Sequence, residues 1–365
     1  MAAARRIFEH SGIFRMRRGG ELERPAIAYE TWGELSRSGD NAVLIFTGLS
    51  PSAHASSSPE DPAPGWWEEM VGPSRPIDTD SYFVICMNSL GSCFGSTGAA
   101  TTNPKTGEPY RVTFPVLTLE DVASAGKALL DHLGIDHLNA VVGPSMGGMT
   151  ALAFAMQFSG LTRSLLLISS AMRAKPLAIA LRSLQREMIR RDPAWADGNY
   201  PLGEGPVTGM RLARKLGMIT YRSALEWEQR FARERVVEER QSGNPFALDF
   251  EVESYLETHA RKFTGQFDAN CYLYLSRAMD LFDVAEHGGT LAAGLSTVDA
   301  ERAMVIGVTS DYLFPAEQQR HLADELKNAG VAVDYQELES IHGHDSFLVD
   351  MDRFRPTIQR FFATG

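Results

Sequence analysis

The chain has 365 residues, 44% of them hydrophobic and 22% charged, and 35 basic against 46 acidic side chains leave a formal charge of −11. This length allows one large domain or a core with an insertion, and the apolar fraction excludes wholesale disorder. The acidic balance argues against a nucleic-acid partner, whose phosphates need basic clusters, but it leaves room for a small anion held by a few arginines.

The predicted elements follow in chain order. Ala42 to Phe46 and Tyr82 to Met87 are short, almost continuous apolar runs, as expected of parallel strands buried on both faces. Between them Ser50 to Pro64 reads as a structured loop. Leu119 to Leu133 places Val122, Leu129, Leu130 and Leu133 at helical spacing, with Glu120 and Asp121 in the first turn and Gly134 as a stop. Further strands are predicted at Leu138 to Val142, Leu165 to Ser169, Ala303 to Val308 and Val331 to Leu338. Strand and helix in alternation is the signature of an α/β fold with a mostly parallel sheet.

The alternation stops near Ala171 and resumes near Ala300. The intervening stretch predicts amphipathic helices over Lys175 to Arg190, Met210 to Arg230, Val252 to Phe263 and Cys271 to Phe282. Breaks are expected at Pro201 to Pro206 and Gly243 to Pro245. The organisation is therefore a core over residues 1–172 and 298–365, with a helical lid at 173–297 inserted after a core strand. Cys86, Cys93 and Cys271 form no CxxC pair, which argues against a disulfide framework and for a reducing cytoplasm. The N-terminal segment lacks an apolar h-region, and no apolar run is long enough to span a bilayer, so neither a signal peptide nor a membrane partner is expected.

Gly143-Pro144-Ser145-Met146-Gly147 fits G-x-S-x-G directly after a predicted strand and before a helical run. In that context the chain turns so sharply that only glycine fits beside the serine, whose hydroxyl is left exposed at the strand end. Serine needs a base, itself oriented by an acid, and in α/β-hydrolases the chain order is serine, acid, histidine. Of the downstream histidines, His344 in Ser340-Ile341-His342-Gly343-His344-Asp345 follows the last predicted strand and a flexible glycine, and is preferred over His342. Asp311 follows the strand Ala303 to Val308, where a carboxylate reaches a histidine, and is the predicted acid. The backbone N–H groups of Met146 and Leu49 are the expected oxyanion donors. The pair His342 and His344 has no third ligand at suitable spacing, so no metal is expected.

With their surroundings these residues resemble the homoserine O-acetyltransferase family of α/β-hydrolase-fold acyltransferases, and within it the serine O-succinyltransferase branch. The resembling segments are Asn88 to Gly98 (NSLGSCFGSTG), Gly143 to Met149 (GPSMGGM), Ser254 to Leu256 (SYL), Phe267 to Leu273 (FDANCYL), Ser310 to Pro315 (SDYLFP) and Gly343 to Leu348 (GHDSFL). The resemblance implies an α/β-hydrolase fold whose central sheet is flanked by helices and covered by an inserted lid. It implies a ping-pong reaction in which Ser145 takes an acyl group from a coenzyme A thioester and passes it to an amino-acid hydroxyl. Coenzyme A is then a co-substrate, and no retained cofactor is expected.

By motif, Arg214 falls where the family binds the acceptor carboxylate, and Asp345 where it binds the amino group. The loop Gly48-Leu49-Ser50-Pro51 falls where acceptor choice is expected to be set, and resembles the serine-acylating branch. Arg182 matches a lid arginine of the succinyl-using branch, suited to the distal carboxylate of succinyl-CoA. Two departures are Tyr312-Leu313 after the acid, without the arginine of homoserine succinyltransferases, and Ala99-Ala100 where relatives carry proline. The expected activity is L-serine O-succinyltransferase in cysteine biosynthesis, in the cytoplasm and as a homodimer. The alternatives are homoserine O-acetyltransferase or succinyltransferase in methionine biosynthesis, then an esterase, then an inactive binding module.

Overall fold

Successive side chains of a strand point to opposite faces, and a strand that is apolar at every position must be covered on both. Ala42–Phe46 is buried throughout. Leu44 and Phe46 lie in one core layer and Val43 and Ile45 in the other. The computed structural model describes residues 4–237 and 244–363. Gly243, which opens the predicted break at Gly243 to Pro245, lies outside the described residues, as do 1–3 and 364–365 at the ends of the core segments.

Eight strands form the main sheet. They are β1 (Arg6–Glu9), β2 (Ala26–Trp32), β3 (Ala42–Phe46), β4 (Phe83–Met87), β5 (Leu138–Pro144), β6 (Thr162–Ile168), β7 (Arg302–Val308) and β8 (Ala332–Leu338). Their spatial order is β1-β2-β4-β3-β5-β6-β7-β8. The β1–β2 and β2–β4 pairs are antiparallel, and every pair from β4 onward is parallel. The two antiparallel strands were not among the predicted elements: RIFE and AIAYETW mix polar and apolar residues and lack the continuous apolar signal.

Helix α1 (Leu119–Leu133) has the predicted bounds. Thr118 Oγ1 accepts from the Asp121 N–H, and Asp121 Oδ2 accepts from the Thr118 N–H at 2.8 Å, a reciprocal cap that satisfies two donors at once. At the other end Gly134 takes a left-handed conformation and ends the helix. α2 (Met146–Gln157) follows β5 directly.

Between β6 and β7 lie α3 (Pro176–Arg191), α4 (Val207–Tyr221), α5 (Ala224–Phe231), α6 (Glu251–Phe263), α7 (Ala269–Leu281) and α8 (Leu291–Leu295). The expected single helix over Met210 to Arg230 is two helices, a correction with a local cause. Arg222 is extended, at φ −121° and ψ 152°, and Ser223 caps a new helix by accepting from the Glu226 N–H. α9 (Ala316–Asn328) joins β7 to β8, and α10 (Ser346–Val349) and α11 (Met351–Ala363) complete the fold. Phe354, Ile358, Phe361 and Phe362 of α11 cover the sheet face opposite α1 and α2. No helix among the described residues is long and apolar enough to cross a membrane.

Thr118→Ala removes the side-chain half of the reciprocal cap and leaves the Asp121 N–H without its acceptor, while the Asp121 carboxylate keeps the backbone N–H groups of residue 118 and Arg17. A loss of about 1 kcal/mol is expected, read as a lower urea midpoint at unchanged m value.

Candidate active site

Ser145 sits at the junction of β5 and α2 with φ +55° and ψ −122°, a backbone conformation that L residues rarely adopt. It persists because its neighbours allow nothing else. A side chain at Gly147 would lie 2.1 Å from the Phe46 carbonyl oxygen, and one at Gly143 would lie 2.2 Å from the Gly147 carbonyl. Gly148 is equally confined, with a Cβ falling 2.5 Å from Ser170. The elbow glycines are therefore sites of backbone contact between β3, β5 and α2. A strained residue of this kind costs about 1–3 kcal/mol and is held by its surroundings.

Ser145 Oγ donates to His344 Nε2 at 2.7 Å, and His344 Nδ1 donates to Asp311 Oδ2 at 2.7 Å. That tautomer follows from the carboxylate, which can only accept. The second Asp311 oxygen accepts from the backbone N–H groups of Leu313 and Phe314 at 3.0 and 2.9 Å, which locks the acid at the end of β7. Gly343 N–H donates to Ser310 Oγ, tying the His344 loop to the same strand end. The imidazole is buried, with the Phe314 ring stacked at 4.9 Å. Burial disfavours its cation most, but the Asp311 charge and hydrogen bond together outweigh burial and raise the His344 pKa above its ordinary value. His342, the rejected alternative, instead has Nδ1 3.4 Å from Glu226.

The predicted oxyanion donors both lie next to Ser145: Met146 follows it in the chain, and Leu49 lines the same cavity. Met146 is the first residue of α2, so its N–H has no acceptor within the helix. Leu49 follows β3 in the loop Gly48-Leu49-Ser50-Pro51, all of which borders the cavity beside Ser145. That loop is braced by the NSLGSCFGSTG segment: Asn88 Nδ2 donates to the Pro51 carbonyl at 3.4 Å, and the Thr47 and Ser89 hydroxyls meet at 3.3 Å. The predicted 50–64 loop is pinned by Glu68, which accepts from Ser57 and Gly65.

The cavity has a volume of about 150 Å³. Arg182, Arg214, His344 and Asp345 are its charged lining residues. Arg182 is buried, with Nε on Asp280 Oδ1 at 2.7 Å. Arg186 holds the other oxygen of Asp280 at 2.6 Å. Two cations thus share one carboxylate, and Arg182 Nη2 is buried without a partner among the described residues. Arg214 lies over the Phe263 ring at 4.6 Å. Asp345 is pushed above the ordinary carboxyl value chiefly by burial, against the pull of His344, Arg222 and Arg214.

Some lining residues were not singled out from sequence. Gln185 lies three residues after Arg182 on α3, so helical spacing from Arg182 would have found it, and Leu181 lies four before Gln185. Tyr272 and Phe314 lie in the resembling segments FDANCYL and SDYLFP, whereas Trp66 and Tyr221 come from separate segments and carried no local signal. Nor did Asp280, which meets Arg182 only because α7 packs on α3. No cluster of His, Cys, Asp or Glu suited to a metal occurs among the described residues.

The alpha/beta hydrolase fold family pattern matches residues 41–349. The chain is 60% identical, over 100% of its length and 99% of the relative's, to a serine O-succinyltransferase of Litchfieldella anticariensis. It is 53% identical, over 99% of its length and 97% of the relative's, to an L-serine/homoserine O-acetyltransferase of Streptomyces lavendulae. The solved homoserine O-acetyltransferase of Bacillus anthracis superposes with a TM-score of 0.90 at 29% identity, over 98% of this chain and 96% of that one. The chain belongs to the α/β-hydrolase fold family and, within it, to the group of serine and homoserine O-acyltransferases.

A fluorophosphonate probe reads the nucleophile without reference to any substrate. Labelling is expected on Ser145 alone and to be lost in Ser145→Ala. Because His344 must be neutral to accept the proton, the labelling rate should rise with pH through a value above the ordinary imidazole pKa. Asp311→Asn should move that limb to lower pH and slow labelling by about 10³–10⁴.

Proposed function

We propose that this protein is an acyl-CoA-dependent O-acyltransferase that moves the succinyl group of succinyl-CoA to the hydroxyl of L-serine, through an acyl-Ser145 intermediate, in cysteine biosynthesis. The observation that carries this reading is the charge of the cavity, whose lining beside His344 bears Arg182, Arg214 and Asp345. A dicarboxylic acyl group brings one carboxylate, and a zwitterionic acceptor brings a carboxylate and an ammonium. Each then has a complement: Arg182 for the acyl tail, Arg214 for the acceptor carboxylate and Asp345 for the ammonium. A hydrolase of neutral esters needs none of the three.

In the first half-reaction His344 takes the Ser145 proton as Oγ attacks the thioester carbonyl. The oxyanion is held by the N–H groups of Leu49 and Met146. Collapse breaks the C–S bond, and the coenzyme A sulfur leaves with the proton from His344. In the second half-reaction His344 takes the proton of the serine hydroxyl, which attacks the acyl ester, and Ser145 recovers its proton as the product leaves. Asp311 keeps the imidazole in the required tautomer and stabilises its cation. Coenzyme A enters and leaves as a substrate, and the reading requires no resident cofactor.

The succinyl donor is supported by the shared carboxylate Asp280. With Arg186 also on it, the buried group carries a surplus positive charge and a free donor on Arg182 Nη2. An unpaired buried donor costs about 1–3 kcal/mol, and a succinyl carboxylate relieves it where an acetyl methyl does not. The 53% identity to a serine and homoserine acetyltransferase favours a second reading, with L-homoserine as acceptor and acetyl-CoA as donor. One methylene in a pocket is worth only ~1–3 kcal/mol, so activity with both acceptors is compatible with either. The exposed Leu177 and Leu184 on α3, and Leu212 and Ile219 on α4, each a pair seven residues apart on one helix face, support a homodimer through the lid. A cytoplasmic setting fits a coenzyme A substrate and free Cys86, Cys93 and Cys271.

Steady-state assay of succinyl-CoA and acetyl-CoA against L-serine and L-homoserine tests the reading. Coenzyme A turnover should require the amino acid and be fastest with succinyl-CoA and L-serine. Turnover indifferent to every amino acid would defeat it. Arg182→Met, which leaves Asp280 paired to Arg186, should lower kcat/KM for succinyl-CoA by at least about 30-fold and spare acetyl-CoA.

A further inference from the structure

The break between α4 and α5 presses on the loop that carries His344. Gly343 has φ +61°, and a side chain there would meet the Tyr221 carbonyl oxygen at 2.7 Å and Arg222 Cα at 2.9 Å. Ser223 Oγ, besides capping α5, donates to the Ile341 carbonyl. The lid backbone and the catalytic loop are thus in direct contact at Arg222.

Arg222 is 14% exposed. Its Nη1 is bound to Glu226, and its Nη2 stands 3.8 Å from Asp345 Oδ2. That separation lets the guanidinium favour the carboxylate form while leaving the oxygen without a hydrogen bond from it. Glu226 is itself buried and also faces His342 at 3.4 Å and Arg230 at 3.9 Å. We infer that Arg222, restrained by Glu226, is a positioning residue for the acceptor, holding Asp345 ionised and open to the pocket so that it receives the substrate ammonium. This rests on the acyltransferase reading above.

The charges around Asp345 single out Arg222. His344 faces it from its own loop, Arg214 and Tyr221 from α4, Arg222 from the helix break and Glu226 from α5. Burial works against ionisation, and the cations His344, Arg222 and Arg214 oppose burial. His344 is neutral whenever it acts as a base, and Arg214 is occupied by the acceptor carboxylate. Arg222 is the cation whose support persists through the cycle. Glu226 has the complementary task. Released from it, Arg222 would close on Asp345 and compete with the ammonium.

The two half-reactions separate this role from a purely structural one. Rapid mixing of enzyme with succinyl-CoA alone should give a burst of coenzyme A release that reports acyl-Ser145, and steady-state assay gives the L-serine KM. Arg222→Met should keep the burst within about twofold, raise the L-serine KM about tenfold, and move the acid limb of kcat/KM for L-serine to higher pH, since each unit of rise in a carboxyl pKa cuts its ionised fraction tenfold below that pKa. Arg222→Lys should recover most of the loss, and Glu226→Gln should also raise the L-serine KM with the burst intact. An unchanged KM and pH limb in Arg222→Met would overturn the inference. So would parallel loss of burst and turnover in both Arg222 variants, which would make the residue a brace of the His344 loop. A wild-type enzyme with no burst would instead defeat the acyl-enzyme reading itself.

Discussion

The contact between Gly147 and the Phe46 carbonyl is the constraint from which the rest of the site follows. Only a residue without a side chain lets α2 begin this close to β3, and only that approach leaves Ser145 at φ +55° with its hydroxyl clear of the sheet. The same closeness brings the loop after β3 to the start of α2, so that Leu49 and Met146 belong to one site although they are far apart in sequence. Parallel pairing of β3 with β5, of β5 with β6 and of β6 with β7 then aligns the strand ends that carry Ser145 and Asp311. The backbone of the sheet does the positioning, and the side chains inherit it.

Core and lid contribute different chemistry to the cavity. The core supplies Ser145, Asp311 and His344, which any acyl transfer through serine needs. The lid supplies Arg182 and Arg214, with Asp280 behind Arg182 and Arg222 beside Asp345. The cavity is thus walled by both parts: the loop Gly48-Leu49-Ser50-Pro51 and Asp345 come from the core, and the two arginines from the helices between β6 and β7. A chain of charge −11 can therefore still carry a locally positive pocket. In the low-dielectric pocket a few buried guanidinium groups outweigh the distant, solvent-screened surface charge.

Much of this was legible in the sequence because its signals are local. Nearly continuous apolar runs marked the parallel strands β3 to β7, since burial on both faces leaves little room for polar residues, while the edge strand β8 is partly exposed and carries Asp334, Gln336 and Glu337. α1 was legible to the residue, because a reciprocal cap and a left-handed glycine mark its ends. The elbow and the loop histidine were legible because glycine beside a serine, or before a histidine, records a backbone requirement. The antiparallel strands β1 and β2 were not: the edge strand β1 is exposed at three of four positions, and the largely buried β2 is interrupted by Glu30 and Thr31, which breaks the continuous apolar pattern. The α4–α5 break was also missed. Helix periodicity runs through Arg222 and Ser223, and what stops the helix there is contact with a loop over a hundred residues further on.

By itself the sequence determined the fold class and pointed to Ser145 with its glycines, Asp311 and His344, which the structure joins by hydrogen bonds, because each signal depends on neighbours within a few residues or on the burial pattern of one element. Only the tertiary structure decided that Arg182 shares Asp280 with Arg186 and keeps a buried donor without a partner among the described residues, and that Arg222 stands beside Asp345 but bound to Glu226. The physical reason is that the state of a buried charge is set by what lies within a few ångströms in space, and those partners come from helices that meet only when the lid packs on itself and on the catalytic loop.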